Sequence, residues 1–97
     1  MQLLQFETFA ARANEVFSLE LGASNIDMRL VHVARHQPHD YPGRRRDPFS
    51  LIFKCGMQTI LPQRTYSFKN DVLGTLCIFI VARGREPDGI VYEAVFN

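Results

Sequence analysis

The stretch Val16-Phe-Ser-Leu-Glu-Leu-Gly-Ala-Ser-Asn-Ile-Asp-Met-Arg-Leu30 alternates between apolar and polar residues on both sides of a short turn. Alternation with a period of two is typical of a β-strand that buries one face. Residues 22–25 supply the turn, since glycine and asparagine accept backbone conformations that other residues avoid. The segment therefore predicts an antiparallel hairpin. Its inward residues are Phe17, Leu19, Leu21, Ile26, Met28 and Leu30.

The alternation changes phase at the end of this hairpin. Val31 and Val33 fall on the parity opposite to that of Leu30. A β-bulge inserts one extra residue into a strand and restores the original facing. We therefore expect a bulge near Leu30 and Val31.

The segment upstream of the hairpin has a helical period. Its apolar residues recur at spacings of three and four, which predicts a helix over residues 2–13 that ends at Asn14. These apolar residues are Leu3, Phe6, Phe9, Ala10 and Ala13. A helix of this length is marginal by itself, so we expect it to plug or flank a sheet.

Four more strand-like segments follow, over residues 49–55, 64–69, 75–83 and 90–96. Within the third, Leu76-Cys-Ile-Phe-Ile-Val-Ala82 is unbroken apolar sequence, which predicts burial on both faces. Asp88-Gly89 is typical of the turn of a hairpin between the last two strands.

Ninety-seven residues predict a single domain over residues 1–97. Six strands with mostly short connections require antiparallel neighbours, because parallel pairing needs long crossovers. The predicted fold is mainly β: a six-stranded antiparallel small barrel or sandwich with one N-terminal α-helix. Eight phenylalanines and three tyrosines supply its core.

Residues 36–48 form a basic, proline-rich loop between the second and third strands. Three prolines and a glycine exclude a central strand or a helix there. A charged loop on a rigid scaffold is a candidate binding surface for a carboxylate-rich protein or for phosphates. Only one aromatic side chain is near enough to stack on bases, which makes nucleic acid the less favoured partner. The candidate binding residues are Arg35, Tyr41, Arg44, Arg45 and Arg46.

No pattern of residues predicts catalysis, a cofactor or a metal. His32 and His36 would lie roughly 13 Å apart on an extended strand, too far to share one ion, although a folded loop could gather His36, His39 and Asp40. The glutamates show no spacing that would pair two carboxylates for acid–base work. No serine–histidine–aspartate set, phosphate-binding loop or dinucleotide fingerprint is present in the sequence. We therefore expect that the protein is not an enzyme.

Charge and hydropathy favour a cytoplasmic protein. The net charge of +1 points to neither nucleic acid nor a membrane. The densest apolar run has seven residues, whereas a membrane-spanning helix needs about 20. The first six residues lack the basic start of a signal peptide. Cys55 and Cys77 are expected to be buried reduced thiols, and a cross-strand disulfide is the alternative.

The second half of the chain carries four motifs that resemble a family of small bacterial single-domain proteins of unknown function. They are Pro48-Phe-Ser-Leu-Ile-Phe53, Leu61-Pro-Gln-Arg-Thr-Tyr66, Leu73-Gly74 followed by Leu76-Cys-Ile-Phe-Ile80, and Tyr92-Glu-Ala-Val-Phe-Asn97. The resemblance covers about 85 residues and implies one domain with an N-terminal helix. It implies no activity and no catalytic residue. Relatives encoded beside phage-tail-collar-like proteins imply an accessory or assembly role.

The function expected from the sequence is that of a non-enzymatic β domain that binds another protein. The basic loop is the first candidate surface. An exposed sheet edge is the second, through strand addition or a homodimer. The alternatives are weak nucleic-acid or phosphate binding by Arg44, Arg45 and Arg46, and a small-ligand-binding barrel. The side chains expected to fill that barrel are Phe49, Leu51, Phe53, Tyr66, Phe68 and Phe79.

Overall fold

The computed structural model describes residues 4–36 and 48–96. A short helix, α1 (Phe6–Ala10), precedes six strands. The strands are β1 (Val16–Glu20), β2 (Asn25–Arg35), β3 (Phe49–Cys55), β4 (Arg64–Asn70), β5 (Gly74–Glu86) and β6 (Gly89–Phe96).

The six strands close into an antiparallel barrel in the order β1-β2-β3-β6-β5-β4. Each half of the chain forms a three-stranded meander, and the two meanders join where β3 pairs with β6 and β1 pairs with β4. The predicted mainly β, six-stranded fold with an N-terminal helix is confirmed, as a barrel rather than a sandwich. Because β3 and β4 lie on opposite sides of the barrel, residues 56–63 must cross one of its open ends.

The first hairpin folds as its alternation predicts, with one correction. The register shifts between Leu30 and His32, which confirms the bulge. Asn14 has a φ of 70° and ends the turn after α1, as expected. Leu21, however, is exposed, because β1 ends one residue earlier.

The interior of the barrel is filled with side chains. Phe53 of β3 and Phe68 of β4 stack across it with ring centroids 5.2 Å apart. Phe17 meets the edge of Phe53 at 5.5 Å. From α1, the fully buried Phe9 closes one end against Phe49 at 5.9 Å. Burial of this many aromatic side chains is the dominant stabilising term in a domain of this size.

The opposite end is closed by residues 56–63, which two tyrosines hold. The backbone N–H of Leu61 donates to the hydroxyl of Tyr92 at 3.0 Å. The hydroxyl of Tyr66 donates to the carbonyl of Pro62 at 2.6 Å. Burial of Tyr92 raises the pKa of its hydroxyl, so this hydroxyl stays protonated at neutral pH.

The helix is shorter than the predicted span of residues 2–13. It begins after Gln5, whose N–H donates to Thr8 Oγ1 at 3.4 Å, and residues 11–14 form turns. The N–H of Asn14 donates to the carbonyl of Leu30 at 2.7 Å. This bond extends the β1–β2 pairing, so the chain leaves the helical path to join the sheet.

Burial of β5 on both faces was a wrong prediction. Ile78 and Ile80 are buried, whereas Phe79 is 50% exposed. Cys77 is also exposed, and Cys55 is buried. Both thiols are free, as expected, but the expected burial of Cys77 is wrong. An unbroken apolar run does not reveal which of its residues point outward.

The β5–β6 hairpin is longer and tighter than predicted. β5 extends to Glu86, so only Pro87 and Asp88 remain in the turn.

No helix in the described part of the chain is long and apolar enough to span a membrane.

Gly89 follows this turn at a close approach to β3, where no side chain fits. Its φ is +151°, and a Cβ atom there would lie 1.9 Å from the carbonyl oxygen of Cys55. We expect Gly89→Ala to destabilise the protein by about 3 kcal/mol or more, because backbone atoms must move. Chemical denaturation measures this loss.

Gly84→Ala is the matched control, since a Cβ at Gly84 meets nothing within 4 Å. It should change the free energy of unfolding by less than about 1 kcal/mol. If both variants lost the same free energy of unfolding, the close approach of Gly89 to β3 would not explain the effect of a side chain at position 89.

Candidate functional site

Arg35, predicted as a binding residue, lies where β2 meets α1. Its guanidinium carbon is 4.0 Å from the ring centroid of Phe6. Its Nη2 atom is 3.1 Å from Oε1 of Glu7. A backbone hydrogen bond first, and then the Arg35 guanidinium, lower the pKa of Glu7. Arg35 therefore fastens the helix to the sheet with a charge that is already paired.

The loop that begins after Arg35 has a defined base. The N–H of His36 donates to the carbonyl of Pro48 at 2.9 Å. The other predicted binding residues, Tyr41, Arg44, Arg45 and Arg46, lie outside the described residues.

Arg35→Ala should loosen α1 while leaving the barrel intact. The amides of α1 should exchange faster with deuterium, because the cation–π contact and the ion pair are both lost. The thermal midpoint should change little, since exposed ion pairs contribute little to stability. Arg85→Ala, an exposed arginine distant from α1, is the control. Unchanged exchange in α1 would contradict the role of Arg35.

The histidines do not form a described metal site. His32 lies on β2 opposite Ile52, and His36 follows the strand. In residues 4–36 and 48–96, no group of three His, Cys, Asp or Glu side chains is placed to hold a metal. His39 and Asp40 lie outside the described residues. A metal site formed by His36, His39 and Asp40 in a folded loop therefore stays a prediction.

An ion-pair cluster joins the β5–β6 hairpin to β3. Lys54 Nζ lies 2.7 Å from a Glu86 oxygen and 2.9 Å from an Asp88 oxygen. Hydrogen bonds to Glu86 and then Asp88 raise the pKa of Lys54. The hydrogen bond to Lys54 lowers the pKa of Asp88. Both carboxylates are thus held by one lysine, which makes this cluster a clamp on the hairpin.

The clamp predicts a stability that depends on pH. Because folding lowers the pKa of Asp88 below its ordinary 3.8, its contribution is present above that value and is lost as the pH falls below it. Asp88→Asn should lower the thermal midpoint at pH 7, and the difference from wild type should vanish in stronger acid. Asp71→Asn, which removes an exposed carboxylate, should show no such convergence.

The outer surface of β5 holds a feature that the sequence analysis missed. The β5–β6 ladder runs from Glu86 opposite Gly89 to Val81 opposite Glu93, and it ends there. Residues 74–80 of β5 pair with β4 instead. Continuing the β5–β6 register places Phe79 opposite Val95, beyond the last paired residues. We call residues 74–80 and 94–96 the seam: in this register residues 78–80 lie opposite residues 94–96, and residues 74–77 extend beyond the described end of β6.

The seam carries exposed apolar side chains. Phe79 is 50% exposed and Val95 is 54% exposed. Cys77 is exposed next to them, and Val81 is half-buried. Residues 74–82 contain no charge and no proline, although proteins commonly protect an open strand edge with such residues. The seam is therefore an apolar outer surface that borders a strand edge.

The sequence carries the signal for the seam but predicts that Phe79 lies inside the barrel. Phe79, assigned to the barrel interior, shares its parity with Thr75 and Cys77, whereas Ile78 and Ile80 hold the inner face. Isoleucine and phenylalanine are equally apolar, so their alternation carries no polarity contrast. Only the register against β4 and β6 reveals which set faces outward.

Comparison with known proteins gives a match to a protein-family model. A family model described as a domain of unknown function (DUF6916) matches residues 4–96. No curated protein and no solved structure matches the chain.

Proposed function

Because the chain belongs to the family described as a domain of unknown function (DUF6916), which brings no activity with it, we propose from the geometry that it is a non-enzymatic module that binds another protein through the seam. The partner supplies an extended segment of uncharged, β-branched or aromatic residues. Such a segment lies along residues 74–77, beyond the described end of β6, and covers Phe79 and Val95. The observation that carries the proposal is the half-exposed Phe79 beside the end of the β5–β6 ladder.

Strand addition suits this surface physically. An open edge offers backbone N–H and C=O groups to an extended chain, and alternate side chains give specificity. Exposed apolar side chains grouped on one face mark interaction sites more often than scattered ones do. An uncharged edge without a partner strand is also prone to aggregation, so a covering partner would protect the protein.

The barrel interior favours this proposal over a small-ligand carrier. Phe53, Phe68 and Phe9 occupy the space that a ligand would need, and they are fully buried. One recess of the described structure is lined by Val16, Asp27, Arg29, Lys54, Gly56 and Asp88, a mixture of opposite charges rather than an apolar pocket.

Ion pairs at three of the six described arginines make nucleic-acid binding the less favoured function. Arg12 pairs with Glu15, Arg35 with Glu7, and Arg83 with Glu93. These groups offer phosphates little net charge. Weak binding of nucleic acid or phosphate by Arg44, Arg45 and Arg46 stays the alternative function of the basic loop.

The absence of catalysis is part of the proposal. The carboxylates of Glu86 and Asp88 hold Lys54, and that of Glu93 holds Arg83.

A place in a phage-tail-like assembly follows only from the resemblance of the four sequence motifs, and it is proposed on that basis.

The test compares Phe79→Lys with Ile60→Lys. Ile60 is 52% exposed in the connection that crosses one end of the barrel, so both variants add a charge at an equally exposed apolar site. A partner captured by the immobilised wild-type protein is identified, purified and titrated against all three proteins by calorimetry. Phe79→Lys should weaken binding by at least about tenfold, and Ile60→Lys should not.

Two further measurements identify the surface used. The purified partner should slow deuterium exchange in residues 74–80. Deletion of residues 38–46 should leave the affinity unchanged. A partner that binds Phe79→Lys normally but loses affinity on that deletion would move the binding site to the basic loop and overturn the proposal.

A further inference from the structure

We propose that a recess where β1 pairs with β4 binds a small molecule that carries a carboxylate and an ammonium group on one carbon atom, the chemistry of an α-amino acid. The recess has a volume of about 260 Å³. Pockets for drug-sized ligands measure about 300–1,000 Å³, so this recess suits a smaller molecule. Its lining residues are Glu20, Leu21, Arg64, Thr65, Tyr66 and Ser67. None of them belongs to the seam, so the site is independent of the proposed protein-binding surface.

The Arg64 side chain is held in place by Tyr66. Its Nε atom donates to the Tyr66 hydroxyl at 3.2 Å, and its guanidinium carbon lies 5.2 Å from the centroid of the Tyr66 ring. The Tyr66 hydroxyl in turn donates to the carbonyl of Pro62 at 2.6 Å. Because Tyr66 is buried, these contacts orient the guanidinium before a ligand arrives. Such preorganisation lowers the entropic cost of binding.

The two terminal nitrogens of Arg64 remain available to a ligand. Among the residues that the structure describes, they have neither a hydrogen-bond partner nor an ion-pair partner. Arg12, Arg35 and Arg83, by contrast, each pair with a glutamate. A guanidinium presents its N–H groups as a planar fork that matches the two oxygens of a carboxylate. Arg64 is therefore suited to hold the carboxylate of the ligand.

Glu20 supplies the opposite charge in the same recess. It lies opposite Ser67 in the β1–β4 pairing, and its Oε1 atom accepts from the Ser67 hydroxyl at 3.4 Å. In the described part of the chain, Oε2 has no partner, and Glu20 forms no ion pair with Arg64. Neither charge is cancelled by the other. An ammonium group beside Glu20 completes a second charge pair, whereas phosphate would be repelled by this carboxylate.

An apolar side chain borders the two charges. Leu21 lines the recess and is 38% exposed. An aliphatic side chain of the ligand can cover Leu21 and remove apolar surface from water. L-Leucine is therefore a suitable probe, because it carries both charged groups and an aliphatic side chain.

Titration with L-leucine followed by heteronuclear NMR tests the proposal, since chemical shifts detect weak binding and report where it occurs. The amide signals of residues 20–21 and 64–67, which line the recess, should move with one dissociation constant. Two analogues test the charges separately. Isocaproate lacks the ammonium group of leucine, and isoamylamine lacks the carboxylate. Each should bind at least about tenfold more weakly than L-leucine, because one charge-assisted contact is lost.

Variants of the two charged residues assign each contact. Arg64→Gln and Glu20→Gln should each weaken L-leucine binding by at least about tenfold. Glu20→Gln should also remove the preference for L-leucine over isocaproate, a change that a structural role of Glu20 would not produce. Arg64→Lys keeps the charge but loses the fork, so it should recover only part of the affinity.

Arg29→Gln is the matched control. Arg29 lies on β2 and, among the described residues, is in no ion pair, but it is not part of this recess. The variant should bind L-leucine as the wild type does. Circular dichroism checks that every variant is folded.

Three results would overturn the proposal. Signals of residues 20–21 and 64–67 that do not move up to the solubility limit of L-leucine would exclude the site. Isocaproate that binds as tightly as L-leucine would leave Glu20 without a role in recognition. A folded Arg64→Gln variant with the affinity of the wild type would exclude Arg64 as the group that holds the carboxylate.

Discussion

The stacking of Phe53 on Phe68 is the contact on which the rest of the structure depends. Phe53 belongs to the meander of the first half of the chain, and Phe68 belongs to that of the second. Neither meander alone can cover its apolar face, because three strands form an open sheet. The two rings meet at 5.2 Å inside the barrel, and the surrounding strands close on them. The helix at one end and residues 56–63 at the other then exclude water from this interior.

Several elements of the fold could be predicted because their signals are local. Alternation of polarity identified the first hairpin, the phase change at Leu30 identified the bulge, and Asn14 identified the end of the helical turn. The pairing of β3 with β6 had no such signal. It depends on which apolar faces fit together across a gap of many residues, and any of the β-branched strands satisfies that requirement from its sequence alone.

The candidate site was harder to predict than the fold for a related reason. A cluster of arginines is visible in a sequence, so the sequence predicts the basic loop, together with Arg35, as the binding surface. In the structure Arg35 contacts Phe6 and Glu7 and serves the attachment of α1. The seam depends instead on where one ladder stops, which is set by the lengths and registers of three strands. Phe79 looks like a core residue until those registers are known.

The bond between His36 and Pro48 has a consequence for how this domain can diversify. The polypeptide leaves the barrel and returns to it at one closed point, and the paired strands on either side are held by their own ladder. The hydrogen bond fixes the two ends of any segment inserted between those residues, and the entropy of closing such a segment grows slowly with its length. The domain is thereby a frame on which one segment can change in size and charge while the shell stays the same.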